Sequence, residues 1–369
     1  MLIALNLLYL IPGVVGGTET YARSLINALA RQDADNEYAV FLSKEAADLD
    51  VTPGPNFRRI VCPVVAMHRA ARYSWEQGVL PLQLLREKPA LIHSLGYVSP
   101  LAARGPQVVS VHDVNYLGHT GRRTAIGRRA FRFFVERTVK RADRVITISE
   151  FSRGEIIRHM DVPEEKVTVI HLAGREVESG VVSPASETHR NIDRPYIMAF
   201  SSLSAHKNIG RLVAAFRKIA PSVPHALVLV GHLPEKNAAR SEIESTNGDD
   251  RIIFTGHLPD AEVESLMHNA SLFAFPSLYE GFGMPVIDAQ HAGVPVACSS
   301  AGALPEVAGE GAVVFDPLSV DDMASALQRC LVDMDLRLTL VANGYENAKR
   351  FSWDKTARET LDVYSAVAS

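Results

Sequence analysis

Residues 273–317 carry the most informative pattern in the chain, FAFPSLYEGFGMPVIDAQHAGVPVACSSAGALPEVAGEGAVVFDP. Short apolar runs alternate there with glycine-rich turns, which predicts the order strand, turn, helix, strand, turn, helix, strand. The first turn contains Gly281 and Gly283, and Pro285 stands where the first helical residue is expected. Such a turn gathers backbone N–H groups at the positive end of a helix dipole. The stretch therefore predicts a site for a phosphate or a hydroxylated ligand.

Two carboxylates flank this turn, Glu280 before it and Asp288 about one turn into the predicted helix. An ionised carboxylate accepts hydrogen bonds from ligand hydroxyls, so both side chains are candidates for ligand contact. The turn is also compatible with an ordinary surface loop whose acid favours the helix dipole. A single glycine-rich turn does not distinguish these two interpretations.

Length and composition describe a globular protein of two domains. The 369 residues exceed one typical core. The charged share of 22% and the net charge of −4 are ordinary for a soluble protein and argue against a general nucleic-acid binder. Cys62, Cys298 and Cys330 are too few and too widely spaced for a disulfide framework or a zinc site. The apolar start MLIALNLLYL has no basic n-region, so we predict a buried first strand and a cytoplasmic location.

Polar residues follow several predicted strands, at the position where open parallel sheets bind ligands. His112 follows the strand predicted at 107–111, and Lys207 lies just before a predicted helix. A lysine before a helix N-terminus favours phosphate, whereas His112 taken alone is equally well an ordinary loop histidine. The chain lacks GxGxxG and GxxxxGK[ST], which argues against a dinucleotide site of the dehydrogenase type and against a P-loop.

These motifs closely resemble the signature region of the family 4 retaining glycosyltransferases, which have the GT-B fold. The family pattern is a glutamate, seven residues and a second glutamate, written around Gly-Phe-Gly-hydrophobe-Pro. Here it runs from Glu280 to Asp288, with an aspartate as the second acid. His206, Lys207 and Asn208 match the Arg-Lys-Asn signature, with His in place of Arg. The segments GGTE, HDV and ISEFS of the first half are similar to the family as well.

The resemblance implies an α/β protein of the GT-B class, with two facing Rossmann-like domains. Residues 1–175 would form an acceptor-binding domain and residues 176–194 a linker. Residues 195–350 would form the nucleotide-sugar-binding domain, and residues 351–369 a C-terminal helix that crosses back to the first domain.

The resemblance also implies roles for individual residues. His112 and Glu280 would be the catalytic residues that contact the donor sugar. Lys207 would bind the diphosphate, and Asp288 would bind the ribose. The further donor-binding positions that it implies are Gly16, Gly17, Ser202, Gly256, Leu258, Gly281, Phe282, Gly283 and Met284.

The implied reaction moves a hexosyl group, with retention, from a nucleoside-diphosphate sugar to a hydroxyl of a glycan or lipid-linked acceptor in bacterial surface-polysaccharide synthesis. Lys207 and nearby backbone amides would stabilise the leaving diphosphate, so we expect neither a metal nor another cofactor. The Asp-x-Asp strings at 33–35 and 333–335 lie in a predicted polar loop and a predicted surface helix.

The donor and the activity each leave alternatives. GDP-mannose is favoured as the donor, and a UDP-sugar-dependent glycosyltransferase is one alternative. A catalytically silent nucleotide-sugar-binding protein of a polysaccharide assembly complex is another. No residue pattern points specifically to a sugar-nucleotide epimerase or to a phosphorylase with pyridoxal phosphate on the same fold.

The segment from Arg122 to Arg144 is strongly basic, since its nine lysines and arginines face only Glu136 and Asp143. One interpretation is a solvated helix face. The other is contact with an anionic inner-leaflet membrane surface or with a pyrophosphate-bearing lipid acceptor. The second interpretation predicts a peripheral position on the inner membrane.

Overall fold

A computed structural model describes residues 1–117, 125–175, 188, 192–202, 204–232 and 249–368. The chain divides into two compact units. Unit 1 comprises Met1–Leu172 and Ser352–Ser369, and unit 2 comprises Ala173–Phe351. The C-terminal segment, predicted to return to the first domain, thus belongs to unit 1.

Within the described residues, each unit contains one parallel β-sheet. The strands of unit 1 are β1 (Leu2–Leu7), β2 (Glu37–Leu42), β3 (Phe57–Val61), β4 (Leu91–Ser94), β5 (Gln107–Ser110), β6 (Arg144–Thr147) and β7 (Val167–Val169). The strands of unit 2 are β8 (Tyr196–Ser201), β9 (Ala226–Gly231), β10 (Ile252–Gly256), β11 (Leu272–Phe275), β12 (Val296–Ser299) and β13 (Ala312–Phe315). The strand orders are β3-β2-β1-β4-β5-β6-β7 and β10-β9-β8-β11-β12-β13.

Helices lie in most of the connections between these strands, although β2 and β3, and β4 and β5, are joined without an α-helix. In chain order they are α1 (Gly17–Gln32), α2 (Arg69–Ser74), α3 (Leu80–Glu87), α4 (Ala125–Arg141), α5 (Glu150–Met160), α6 (Ile209–Ile219), α7 (Asp260–His268), α8 (Met284–His291), α9 (Leu304–Ala308), α10 (Val320–Val332), α11 (Met334–Ala348) and α12 (Trp353–Ala368). Among the described segments, no helix is both long and apolar enough to cross a bilayer.

Burial follows the predicted patterns. The strands are almost continuous apolar runs because parallel sheets are covered by helices on both faces. The inward stripe of α1, which includes Ala22, Leu25 and Leu29, is fully buried. Ser149 caps the N-terminus of α5 by accepting a hydrogen bond from the backbone N of Ser152 at 3.0 Å.

In each sheet the strand order reverses beside the first strand of the unit. The reversal lies between β1 and β4 in unit 1 and between β8 and β11 in unit 2. Connections leave these strand pairs in opposite directions, which opens a crevice at their carboxyl ends. Each unit therefore has a crevice suited to a ligand.

The basic helix differs from its predicted bounds. Arg122 lies outside the described residues, and the helix ends at Arg141, whereas Arg144 begins β6. The backbone N of Asp143 donates to the O of Gln107 at 2.8 Å, and the carboxylate of Asp143 accepts from the N of Gln107 at 2.8 Å. This pairing with β5 ends the helix. Most of the predicted linker, residues 176–187 and 189–191, lies outside the described residues.

Candidate functional site

The crevice of unit 2 brings Lys207 and Glu280 together. Lys207 ends a short 3-10 turn, Ala205–Lys207, after β8, and Glu280 follows β11. Nζ of Lys207 donates a hydrogen bond to Oε1 of Glu280 at 2.7 Å. The two side chains are 21% and 17% exposed. Nζ also lies 4.8 Å from the ring centre of Phe275. Two residues that are distant in sequence thus form a partly buried ion pair where the sheet is open to a ligand.

Asn208 fixes the loops that carry this ion pair. Its backbone has φ 58°, a left-handed conformation that asparagine tolerates better than most residues. Its Nδ2 donates to the O of Pro276 at 3.0 Å and to the O of Pro317 at 2.7 Å. The backbone N of Leu278 donates to the O of His206 at 2.7 Å. The loops after β8, β11 and β13 are therefore held in one arrangement.

Close backbone packing sets the position of Glu280. Gly302 has φ 65°, and a Cβ there would lie 2.4 Å from the O of Glu280. The backbone N of Ala303 donates to the same oxygen at 3.0 Å. Gly283 has φ 115° and precedes α8, and a Cβ there would lie 2.6 Å from Cδ2 of Leu304. Both glycines are required, because a side chain would strain the backbone and collide with its neighbours.

The predicted donor turn, from Gly281 to Met284, is built around a buried aromatic ring. Phe282 is only 3% exposed, and its ring meets that of Phe351 edge-on with centres 5.7 Å apart. Met284 is the first residue of α8. Ligand contact from this turn therefore falls to its backbone and to the N-terminus of α8.

Asp288, the second predicted acid, lies one turn into α8 and contacts the start of unit 2. Its Oδ1 accepts a hydrogen bond from the backbone N of Arg175 at 2.7 Å, and Oδ2 lies 3.9 Å from Nε of Arg175. Burial raises the pKa of Asp288 to about 6, although the hydrogen bond and the charge of Arg175 act in the opposite direction. With Phe200 and Asp260, the carboxylate lines a pocket of about 230 Å³.

The remaining predicted positions of unit 2 lie at the end of β10 and in the loops after β8 and β10. Oγ of Ser202 accepts a backbone hydrogen bond within its own loop at 3.2 Å. Gly256 has φ 72°, and Leu258 packs against the core. His232 and His257 are not among the predicted site residues, yet their rings stack beside these loops with centres 6.0 Å apart. Both histidines could have been found from the sequence, because each directly follows the glycine that ends a strand, β9 or β10.

In unit 1, His112 follows β5 and is 4% exposed. Its ring meets that of Tyr21 edge-on with centres 4.6 Å apart, and the ring centre of Tyr97 lies 5.7 Å away. Among the described residues, Nε2 of His112 has no hydrogen-bond partner. Burial lowers the pKa of His112 to about 4, so the imidazole is neutral at pH 7. A neutral ring with an uncommitted nitrogen is suited to contact with a ligand hydroxyl.

A buried chain of hydrogen bonds lies beside His112. Nδ1 of His93 bonds the hydroxyl of Tyr364 at 2.6 Å, and Nε2 of His93 bonds Oγ of Ser110 at 2.8 Å. Oγ of Ser110 bonds the hydroxyl of Tyr21 at 2.8 Å. We name Tyr364, His93, Ser110 and Tyr21 the buried hydroxyl–imidazole chain. Because Tyr21 also packs against His112, the chain connects α12 to the predicted catalytic histidine within unit 1.

Gly16 and Gly17 lie at the N-terminus of α1, where both are exposed. Gly16 has φ 56°, which favours glycine at this turn. Asp113 fixes its own loop, since its Oδ1 accepts a hydrogen bond from the backbone N of Asn115 at 3.1 Å. The loops after β1 and β5 thus both leave the sheet through turns with local constraints.

The Asp-x-Asp strings have structural contacts. Asp33 accepts backbone hydrogen bonds from Asp35 and Asn36 at 3.0 and 3.2 Å. Asp333 lies at the junction of α10 and α11, not within a helix as predicted, and it caps α11 through a 2.9 Å bond from the N of Leu336. Across the described ranges, no group of three or more His, Cys, Asp or Glu is arranged to hold a metal ion.

Comparison with known proteins relates both halves of the chain to glycosyltransferases. Residues 185–347 match the family Glycosyl transferases group 1, and residues 15–173 match Glycosyltransferase Family 4. The chain is 30% identical over 227 residues to O-antigen chain mannosyltransferase B of Escherichia coli, which covers 60% of each protein. It is 28% identical over 237 residues to the serotype-specific mannosyltransferase WbdA of Escherichia coli, covering 61% of this chain and 29% of WbdA. The aligned part thus spans 60% or less of these two relatives.

Among solved structures, the chain is similar to Anabaena Alr3699/HepE in complex with UDP-glucose. The TM-score is 0.73 at 20% sequence identity, and the match covers 99% of this chain and 100% of HepE. At this identity the likeness concerns the fold alone. It confirms the GT-B fold predicted from the sequence.

Proposed function

The chain belongs to the family 4 glycosyltransferases, and from this membership we propose that it transfers a hexosyl group from a nucleoside-diphosphate sugar to a hydroxyl of a glycan or glycolipid acceptor. The contact between Lys207 and Glu280 in the crevice of unit 2 carries this proposal. A diphosphate needs a cation and N–H donors, whereas a sugar needs acceptors for its hydroxyls. The ion pair and the adjoining turn at 281–284 supply both kinds of group.

The proposed mechanism assigns one task to each group. The ammonium of Lys207 and the backbone amides at the start of α8 stabilise the charge that develops on the leaving diphosphate. The donor phosphate competes with Glu280 for Lys207, which frees the carboxylate to accept a sugar hydroxyl. Transfer proceeds with retention and without a metal, and the leaving phosphate takes the proton of the acceptor. The neutral imidazole of His112 supports its proposed contact with the donor sugar.

We favour GDP-mannose as the donor and a bacterial surface polysaccharide or glycolipid as the acceptor. The mannosyltransferase names of the Escherichia coli relatives support this choice. The complex of HepE with UDP-glucose supports the alternative of a UDP-sugar donor. Asp288 in place of the family's second glutamate favours a second alternative, a catalytically silent protein that binds nucleotide sugars within a polysaccharide assembly complex.

A thermal-shift panel of GDP, UDP, ADP and dTDP with their sugar conjugates, without metal, tests donor binding. A cognate nucleotide at about 100 times its dissociation constant adds about 2.7 kcal/mol to the free energy of unfolding of unit 2. This gain raises the melting temperature of unit 2 by about 5 to 10 °C. Lys207→Met should abolish the shift. Lys218→Met is the matched control, because Lys218 pairs with Asp321 on the exposed surface of the same unit. The proposal fails if no nucleotide shifts the native protein.

Donor turnover with extracted lipid-linked oligosaccharide separates an enzyme from a silent binding protein. The native protein should consume the cognate donor, and Glu280→Gln should reduce turnover while the nucleotide shift is kept. Proton NMR of the product reports the configuration at the anomeric carbon. Donor binding without turnover in the native protein would favour the silent alternative.

We further propose that α4 lies on the anionic inner leaflet. Ile126 and Phe133 are 82% and 50% exposed. With Arg129 and Arg137 they recur at the helical spacing of one face, and the guanidinium of Arg137 lies 5.2 Å from the ring centre of Phe133. Apolar tips beside arginines are typical of a helix in the plane of a membrane interface.

Co-sedimentation with vesicles tests this placement. The native protein should bind vesicles that contain phosphatidylglycerol and not vesicles of phosphatidylcholine alone. The double variant Ile126→Ser/Phe133→Ser should bind less, whereas Leu338→Ser, which changes an exposed leucine of unit 2, should bind as the native protein does. Equal binding to both vesicle types would contradict the proposal.

A further inference from the structure

A second pocket lies in unit 1, beside the reversal of strand order between β1 and β4. Its volume is about 480 Å³, which is within the range of small-molecule sites. Tyr9 enters it from the loop after β1, Tyr97 from the loop after β4, and Asp113 from the loop after β5. Arg69 and Arg72 enter it from α2. Three strand ends and one helix therefore line one cavity.

The walls of this pocket are held in place by close packing and hydrogen bonds. The ring of Tyr9 lies directly on Gly96, where a Cβ would be 2.1 Å from Cδ1 of the tyrosine. The hydroxyl of Tyr9 donates to the O of Thr18 at 3.1 Å. The carboxylate of Glu45 accepts backbone hydrogen bonds from Met67 and the residue before it, each at 2.9 Å. The pocket is thus formed before a ligand arrives.

The two arginines place positive charge at the α2 side of this pocket. In the part of the chain that the structure describes, neither Arg69 nor Arg72 forms an ion pair, and Nε of Arg72 is buried without a hydrogen-bond partner. The guanidinium of Arg72 lies 4.6 Å from the ring centre of Tyr73. Glu76, one turn along, accepts a hydrogen bond from Nδ2 of Asn6 at 2.7 Å. Burial raises the pKa of Glu76, although the charge of Arg72 and this hydrogen bond act in the opposite direction. An anionic ligand would supply the acceptor that Nε of Arg72 lacks.

The other side chains of the pocket are suited to a hydroxylated ring. Oδ1 of Asp113 accepts a hydrogen bond from the hydroxyl of Tyr97 at 3.3 Å. A carboxylate can accept several hydrogen bonds, so Asp113 can also accept from ligand hydroxyls. This carboxylate also disfavours an anion beside it, so the anionic group belongs with the arginines. The ring of Tyr97 lies 5.7 Å from that of His112, so the pocket adjoins the predicted catalytic histidine.

We propose that this pocket binds the acceptor as a glycosyl phosphate or diphosphate, with Arg69 and Arg72 on the phosphate and Asp113 on the sugar hydroxyls. The inference rests on the proposed transfer reaction, because it names the acceptor class for that reaction. Guanidinium groups bind phosphate through paired hydrogen bonds and remain charged at every physiological pH. The same chemistry is offered by a soluble sugar phosphate and by the head group of a diphosphate-linked lipid.

Calorimetric titration of the full chain without donor tests the assignment. Mannose 1-phosphate should bind about tenfold more tightly than methyl mannoside, which lacks the phosphate. Arg72→Gln and Arg69→Gln should each weaken the binding of mannose 1-phosphate about tenfold. Arg86→Gln, on the exposed face of α3, should leave it unchanged. A melting curve accompanies each variant, and the exposed Arg69 keeps the test valid if Arg72→Gln fails to fold.

A second titration, with a short-chain alkyl mannosyl diphosphate below its micellar concentration, distinguishes the source of the phosphate. Tighter binding than mannose 1-phosphate supports a lipid-linked acceptor, and equal binding supports a soluble one. Lys207→Met should change neither titration, although it abolishes the nucleotide shift of unit 2. If no nucleotide shifts the native protein while the phosphate titrations behave as expected, the proposed reaction fails and the pocket assignment stands. Failure of both phosphate probes to bind, or binding that is insensitive to both arginine variants, would overturn the pocket assignment.

Discussion

The ion pair between Lys207 and Glu280 makes a quantitative prediction about the stability of unit 2. Its N–O distance is 2.7 Å. At that separation two unit charges attract by about 1.5 kcal/mol in bulk water and by about 6 kcal/mol at an effective dielectric constant of 20. Lost hydration offsets much of the larger value, since the side chains are only 21% and 17% exposed. We therefore expect a coupling energy of about 1.5 to 2 kcal/mol between the two side chains.

A double-mutant cycle of Lys207→Met and Glu280→Gln measures this coupling. Lys207→Met should cost about 2 to 3 kcal/mol, because it leaves a partly buried carboxylate without its cation. The double variant should recover part of that loss. Urea denaturation followed by far-UV circular dichroism reports both units. Trp75 and Trp353 both belong to unit 1, so tryptophan fluorescence identifies the transition of unit 1.

The exposed pair of Lys218 and Asp321 provides the matched cycle. Its side chains are 53% and 83% exposed, so its coupling should stay below about 0.5 kcal/mol. A coupling between Lys207 and Glu280 that is no larger than this control would refute the reasoning. The ion pair would then be a contact without energetic weight, and its use in the proposed mechanism would lose its support.

Four further substitutions have defined outcomes. Gly302→Ala should lower the free energy of unfolding of unit 2 by about 2 to 4 kcal/mol in urea denaturation, because the new Cβ would collide with the O of Glu280. Gly256→Ala, where the space is open, should cost only about 1 kcal/mol, and equal losses would exclude a steric cause. Asp288→Asn should stabilise the protein by up to about 3 kcal/mol at pH 8 and not at pH 4. The reason is that the stability of the wild-type protein falls as the pH rises toward the raised pKa of Asp288, about 6. A difference in stability between variant and wild type that does not change with pH would contradict this. Tyr364→Phe should lower the free energy of unfolding of unit 1 by about 1 to 3 kcal/mol, because it breaks the buried hydroxyl–imidazole chain. Tryptophan fluorescence during urea denaturation measures this loss. An unchanged midpoint would show that the hydroxyl adds no stability.

The order of elements in residues 273–317 was predictable because apolar runs and glycine-rich turns are local signals. It matches β11, α8, β12, α9 and β13. It was also predictable that Lys207 and Glu280 lie at the same edge of the sheet, since the carboxyl ends of parallel strands share one edge. Their direct contact was not, because it depends on Asn208, whose side chain bridges two other loops. Such contacts join residues that no local pattern connects.

Two other features required the structure. The basic helix ends at Arg141 because Asp143 pairs with β5, which is a contact over 36 positions. The pattern of residues 72–85, RYSWEQGVLPLQLL, predicts one continuous helix, yet Trp75–Val79 is π-helical between α2 and α3. A π-helical turn changes the angular spacing of side chains, so a period of 3.6 residues does not hold across the junction of α2 and α3.

The division of unit 1 into two chain segments also affects the timing of its folding. Its last helix, α12, supplies Tyr364 to His93 and pairs Asp354 with Arg31. At about 5 to 20 residues per second, translation of Ala173–Phe351 takes roughly 10 to 35 seconds. For that interval, the first segment of unit 1 has left the ribosome without the helix that completes it. Unit 2 is contiguous and is synthesised completely before α12. The second unit to be translated is therefore expected to be the first to mature, and the first unit stays incomplete until α12 has been synthesised.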